Sequence, residues 1–549
     1  MAQKIQNPVL PGFFPDPSIC RVGSDYYIAN SSFEWFPGVP IHHSKDLANW
    51  RLIGHALTRK SQIELRGVPD SAGVWAPSLS HADGLFWLIY TNVRNTGMGR
   101  PFKDLEIFLA TAPDILGPWS DPIELNSVGF DPSLFHDDDG RKWLVNMQWD
   151  FRKGKPRFAG IVIQEYDHKQ RSLVGSQKTI LQKAVLTEGP NLYRRGGWYY
   201  LMLAEGGTGW NHGIAMARAN HILGPYEVDR QPDILTSRNN PSNPLQKAGH
   251  GELVETQHGQ WFLAHLASRP IQTGGTADPR SADKTPAAAA RAGFRCPLGR
   301  ETCLQRVEWR DDWLRLQNGG TQPEVSWDPP SEFLKEESGS ASTLCRDHFD
   351  SPKLGVNWSA LRVPMDESWL NLRERPGWLR LRGRDSMHSL FHQSLIARRA
   401  QHFAFTAETR LDFSPGNFMQ SAGLVCYYDT RTHFYLRITH DESRGTILGI
   451  SLTDDGHYDE LSCTDPAVSD WTLFYLRAEV DFEKLQFHAS PDGNAWRNIG
   501  PALDFSKLSD DYGSGLHFTG AMVGLCAQDL SGLNIPADFD YFDYQPAHA

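Results

Sequence analysis

Short aromatic and β-branched runs recur along the first 320 residues, each bounded by Gly or Asp turn residues. They are Asp25-Tyr-Tyr-Ile-Ala, Leu85-Phe-Trp-Leu-Ile-Tyr, Lys142-Trp-Leu-Val-Asn, Gly197-Trp-Tyr-Tyr-Leu-Met and Gln260-Trp-Phe-Leu-Ala-His. Such runs are strand signals. Each follows a related opening phrase: Phe14-Pro-Asp16-Pro-Ser, Trp75-Ala-Pro-Ser-Leu, Phe130-Asp131-Pro-Ser-Leu-Phe, Thr187-Glu188-Gly-Pro-Asn-Leu and Gly249-His250-Gly-Glu-Leu-Val. The openings stand 56 to 62 residues apart, a period that points to equivalent supersecondary units arranged in an array. Four-stranded blades around a central channel account for it, so residues 1–322 are expected to form a five-bladed β-propeller.

The pattern changes further on. Residues 323–343 are rich in Gly, Pro, Ser and charge, as a linker would be. From 344 to 549, the segments beginning at Gly377, Phe403, Ala422, His433 and Leu473 read as alternating strands between turns such as Ser490-Pro-Asp-Gly. This predicts an antiparallel β-sandwich, and amphipathic helix patterns are scarce throughout. The chain is therefore expected to be all-β. The stretch from Gly274 to Arg291, with Ala287-Ala-Ala-Ala, reads as a loop or short helix on the propeller surface.

At 549 residues, two domains fit better than one. A hydrophobic content of 40% with 22% charged residues describes a globular chain. The formal net charge of −11 argues against nucleic acid or an anionic membrane as partner, since both need basic patches. No signal-peptide pattern or long apolar run occurs, which predicts a cytoplasmic location. The seven cysteines are scattered without a CxxC, as expected for reduced thiols.

Three openings carry an acid at what reads as the same phase: Asp16, Asp131 and Glu188; blade two has Ala76 there. One Asp-Pro alone is ordinary turn chemistry. Three carboxylates brought to one axis repel one another, and chemistry is the better reason for them. Two carboxylates flanking a glycosidic oxygen are what glycoside hydrolysis requires, and a nearby negative charge keeps the acid protonated. Phe33, Trp35, Trp75, Trp149 and Trp210 lie near the openings and could pack on sugar C–H faces, although each alone reads more readily as blade core. Asp137-Asp-Asp-Gly reads as a hairpin turn, not a calcium loop.

Taken together, these openings and Pro297-Leu-Gly-Arg300-Glu-Thr resemble the family 43 glycoside hydrolases, more narrowly their two-domain β-xylosidases. The resemblance covers essentially the whole chain, including His517-Phe518-Thr-Gly-Ala-Met-Val-Gly in the sandwich, which is similar to a loop these enzymes insert towards the active site. It implies that Asp16 is the general base, Glu188 the general acid, and Asp131 the third carboxylate that tunes and holds the acid. It implies that Arg300 binds sugar hydroxyls, that Phe33, Trp75 and Phe518 wall the pocket, and that Thr208 borders it. It places His250 on the propeller axis, where it could help bind a structural calcium ion; no cofactor is expected for the chemistry itself. The family inverts configuration, so base and acid carboxyls should stand about 6.5–9.5 Å apart.

The implied activity is exo-acting release of D-xylose from the non-reducing end of β-1,4-xylo-oligosaccharides, with α-L-arabinofuranosidase side activity. A homodimer or homotetramer built partly on the sandwich is also implied. The alternatives are a dedicated α-L-arabinofuranosidase, an endo-arabinanase disfavoured by Phe518, and a non-catalytic carbohydrate-binding propeller, which would not need three acids. The invertase-like fructosidases carry Asn-Asp-Pro and Glu-Cys motifs where this chain has Pro15-Asp16-Pro and Glu188-Gly, and are disfavoured for that reason.

Overall fold

The computed structural model describes residues 4–96, 100–275, 284–329, 346–461, 466–515 and 517–547. Within them, five antiparallel four-stranded sheets follow one another in chain order, the fourth with an added edge pair at Leu235–Thr236. Their innermost strands are Ser18–Val22, Gly73–Ala82, Gly129–His136, Thr187–Arg195 and Gln246–Glu255. These pack side by side around the axis, as the five openings predict. Hairpins link the inner strands to their neighbours, with two-residue turns in blades one, two and four and five-residue turns in blades three and five. Asp83-Gly84 and Gly196-Gly197 both place two successive residues at positive φ, the backbone that matches the twist of tightly paired strands. The turn at Asp137-Asp-Asp-Gly is likewise a hairpin, closed by the Asp137 N–H donating to the Arg141 carbonyl at 2.9 Å.

All four strands of blade five come from one stretch of chain, so the ring closes by other means. Ile5–Gln6 pairs with Ser326–Trp327, and the Asn7 amide donates to the Leu304 carbonyl at 2.7 Å. Trp327 is buried, with its indole N–H donating to the same carbonyl at 3.0 Å. The expected linker at 323–343 therefore begins inside the propeller: its first residues close the ring, because Trp327 has apolar surface to bury there. Residues 330–343 of that linker, and the domain start expected at 344, lie outside the described residues. The expected surface segment at 274–291 is an insert between the second and third strands of blade five, with a one-turn helix at Pro286–Ala289; its residues 276–283 are outside the described set.

The second domain stacks two antiparallel sheets. One is built on Pro536–Pro546, Ala404–Asp412 and Phe474–Asp481; the other on Thr432–Asp441, Gln420–Asp429, Met522–Asp529 and Ser394–Arg399. Ala404–Asp412 alternates between buried and half-buried residues, as a sheet with one wet face should. Gln420–Asp429, expected to alternate too, is buried at every residue. Leu424 and Cys426 face the sandwich core, while Val425 and Tyr427 belong to the apolar cluster that continues into the propeller through Trp35 and Phe36.

The same sheet takes its edge strand from the first domain. Trp35–Phe36, in blade one's connection, pairs with Ala360 and Leu361. Arg362 follows at once, fully buried, donating to the Val68 carbonyl at 2.7 Å and to Asp70 at 2.5 Å. The domains thus share a sheet, an apolar cluster and a buried ion pair, which hold the sandwich rigidly against one face of the propeller.

Candidate active site

The local backbone explains why the acids meet. Where each blade nears the axis, at or just before its inner strand, stands a residue at positive φ: Asp16 at 50°, Ala76 at 35°, Asp131 at 53°, Gly189 at 55° and His250 at 36°. In blades two to five the register with the next strand slips at this point, so each is a bulge that re-aims side chains. This corrects the phase read from sequence. Asp16 and Asp131 are equivalent, but Gly189, not Glu188, is their counterpart. Glu188 stands one residue earlier, at the edge of the bulge, and lines the same pocket as Asp16 and Asp131. Its partner at the axis is glycine because a Cβ on Gly189 would come 3.1 Å from His250 Nε2.

Asp16 is held from three sides. Arg300 donates to Oδ1 at 2.8 Å, the Ser31 hydroxyl donates to Oδ2 at 2.6 Å, and His250 Nδ1 lies 3.7 Å away. Ser31 is aimed in turn by the backbone N–H of Ala76, which donates to its Oγ at 2.7 Å. Blade two's non-acidic position therefore still orients the base. Burial favours the neutral acid, but the Arg300 charge, then His250 and Ser31, outweigh it and hold Asp16 below its ordinary range. It stays ionised near neutral pH.

Glu188 behaves oppositely. Burial first, then the charge of Asp16, push it up to about 7, against the pull of Arg300 and Lys103. The two carboxyls are thus split into an ionised and a protonated member, the division an acid–base pair requires. Asp131 rises to about 8, by burial first and then by the charges of Glu188 and Asp16, with His250 pulling it down. The backbone of Gly189, the residue after the acid, also draws the Asp131 pKa down. Asp131 and Glu188 lie close enough to act on each other's charge, and burial drives both towards neutrality.

These groups line a pocket of about 430 Å³. Phe33, Trp75, Thr208, Arg300 and Phe518 all border it. The Phe33, Trp75 and Phe518 rings form a triangle, with centroids 6.1, 5.4 and 6.1 Å apart. Phe33 is fixed by two backbone bonds with Val74, and Gly73 is obligatory there: a Cβ would fall 2.3 Å from the Phe33 carbonyl oxygen. Phe518 comes from the sandwich. Its N–H donates to Ser71 Oγ at 3.0 Å and its carbonyl accepts from Arg300 Nη2 at 3.0 Å. Trp149 and Trp210 also line the pocket, whereas Trp35 does not; it packs edge-on against Tyr427 between the domains.

Several pocket residues carried no motif. Lys103 lies 5.1 Å over the Trp75 ring and 4.9 Å over Trp149, close enough to feel Glu188 and Asp131. Lys247, Asp510 and Asp511 form a charged cluster on the opposite wall. The repeat phase could have flagged Lys247, three residues before His250, but nothing local distinguishes Lys103 or the acids at 510 and 511 from surface charges. As for metal, no group of three His, Cys, Asp or Glu among the described residues is arranged to hold one. His250 Nδ1 lies 3.7 Å from Asp16, and Asp131, Asn191 and Glu252 line the same axial space, oxygen groups of the kind calcium takes.

Comparison with known proteins agrees with this site. Residues 5–314 match the glycosyl hydrolases family 43, and residues 346–545 match the β-xylosidase C-terminal concanavalin A-like domain. The chain belongs to glycoside hydrolase family 43 and is a glycoside hydrolase. It is 47% identical to a β-xylosidase of Bacillus subtilis (strain 168) over 99% of both chains, and 44% identical to a xylan 1,3-β-xylosidase of a Vibrio species over 99% of both. The crystal structure of a xylan β-1,4-xylosidase from Bacillus halodurans C-125 superposes with a TM-score of 0.91 at 49% identity, covering 98% of this chain and all of that one.

Proposed function

We propose that this enzyme releases D-xylose, one residue at a time, from the non-reducing end of β-1,4-xylo-oligosaccharides with inversion. The observation that carries this reading is the pair of carboxyls with opposite protonation, Asp16 ionised and Glu188 protonated, in a pocket whose wall Phe518 completes from the sandwich. A terminal xylose fits against the aromatic triangle, its hydroxyls towards Arg300 and Asp131. Glu188 donates its proton to the leaving oxygen while Asp16 takes a proton from the water that attacks the anomeric carbon. The water's oxygen becomes the new anomeric hydroxyl, and no glycosyl–enzyme bond forms. Asp131 stands beside the acid and tunes it.

Proton NMR of xylobiose during hydrolysis tests this. Early α-xylose is the expected first product. Early β-xylose would overturn inversion and the role of Asp16 as base, and absence of xylose would overturn the substrate. Running β-1,3-linked xylobiose in parallel settles the linkage, since a relative of similar identity bears that specificity in its name. The side activity on α-L-arabinofuranosides follows from a pocket that grips hydroxyls and ring faces, and the same assay with an arabinofuranoside measures it.

The finer features of the reading are a cytoplasmic setting and a homo-oligomer. Buried free thiols at Cys20, Cys296, Cys303, Cys426 and Cys526 support the first; Cys345 and Cys463 lie outside the described residues. No helix among the described residues is long and apolar enough to cross a membrane. Exposed Phe418, Met419, Leu530 and Leu533 on two adjoining sandwich loops support assembly through that domain. Light scattering on the purified protein gives the copy number, two or four being expected.

A further inference from the structure

One buried charge cluster in the pocket wall takes no part in the proposed chemistry. Lys247, on the innermost strand of blade five, extends its ammonium to Asp510 at 3.0 Å and to Asp511 at 2.7 Å, both from the sandwich. All three side chains are nearly inaccessible, at 2, 7 and 9% exposure. The ammonium also lies 4.6 Å from the centre of the Trp210 ring, another pocket wall. Asp511 Oδ2 accepts the Cys296 N–H at 3.0 Å, but no other cation is paired with Asp510 or Asp511 among the described residues.

The two acids sit in the segment that carries the sandwich into the pocket, between the helical turn Phe505–Lys507 and the strand Met522–Asp529. Asp510, Asp511, Gly513, Gly515, His517 and Phe518 from this segment all line the pocket. Its far end is pinned by the bonds of Phe518 to Ser71 and Arg300. Its near end carries two neighbouring carboxylates that repel each other unless a cation stands between them, and burial and Asp511 together push Asp510 up to about 6 despite Lys247. Two charges buried this way are tolerated only with a close partner. Lys247 is that partner, and it belongs to the other domain.

We infer that Lys247 is a positioning residue: its ammonium latches the sandwich segment at 508–515 to the propeller and thereby keeps the pocket closed around one terminal sugar. This deepens the proposed exo-xylosidase reading and rests on it. Lys247 does not touch the reacting atoms. Its effect is on how tightly the terminal sugar is enclosed, so it acts on substrate and product binding more than on the chemical step.

The test pairs kinetics with hydrogen exchange on Lys247→Met, which keeps the length and removes the charge, and on Asp511→Asn, a milder change for the event that Lys247→Met fails to fold. KM for xylobiose is expected to rise roughly tenfold while kcat changes by about twofold or less. The inhibition constant for xylose should rise in parallel. Backbone amides at 508–515 should exchange faster than in the parent, while those of the inner propeller strands stay as they were. Unchanged exchange at 508–515 in a folded variant would overturn the latch, whatever the substrate turns out to be. So would a loss confined to kcat, which would place Lys247 in the chemistry. An enzyme in which the segment loosens but the parent releases no xylose would retain the latch and sink the substrate assignment instead.

Discussion

Replacing Glu188 with Gln removes the proposed proton donor while preserving size and hydrogen bonding. A positioned general acid contributes about 10²–10⁴-fold to rate. The full loss should appear with xylobiose, whose leaving sugar hydroxyl departs poorly without a proton. An aryl xyloside with an acidic phenol needs little protonation and should lose far less. The structure adds a pH signature. With Glu188 at about 7, the parent acid is about nine-tenths protonated at pH 6 and about one-tenth at pH 8. Asp16, held low, stays ionised across that window. The kcat/KM of the parent on xylobiose should therefore fall roughly tenfold from pH 6 to pH 8, lost as pH rises through the acid's pKa. In Glu188→Gln the limb at about 7 should vanish, because the amide does not titrate, leaving only the ionisation of Asp131 at about 8. Initial rates on both substrates, at saturating and limiting concentration across pH 5 to about 9, measure all of this. Equal loss on both substrates, or a limb that persists near pH 7 in the variant, would refute the assignment of Glu188 as acid.

Asp16→Asn removes the base and should abolish turnover of xylobiose and aryl xyloside alike, by about three orders of magnitude or more; near-normal rates on either would remove Asp16 from the mechanism. Gly73→Ala drives a methyl into the Phe33 carbonyl, so it should displace Phe33 and raise KM, measured on xylobiose, with far-UV circular dichroism checking that the strands survive. Trp35→Ala strips a fully buried indole from the shared sheet and should cost about 3–5 kcal/mol by urea unfolding; a cost under about 1 kcal/mol would mean that the domains do not depend on this strand.

Much of this molecule was legible from neighbouring residues alone. Strand content, the five-fold repeat, the hairpins and the sandwich follow from local periodicity and turn chemistry, which depend only on residues a few positions apart. Asp16, Asp131 and Arg300 could be read from the openings and from the family they resemble. Other features needed the closed ring and the docked domain. That Glu188 stands one residue before the counterpart of Asp16 and Asp131 shows only in the bulged register, and a bulge re-aims side chains without altering the composition around it. Whether Gln420–Asp429 has one buried face or two depends on what lies against its second face, here the propeller. Trp35 reads as one more blade aromatic until the sandwich takes it as an edge strand. Lys103, Lys247, Asp510 and Asp511 look like solvated charges in the sequence, because burial and pairing are properties of space. Local pattern determined which elements form. Only their convergence decided which side chains face each other, since the pKa of a carboxyl and the partner of a lysine are set by neighbours 284 and 264 residues away along the chain.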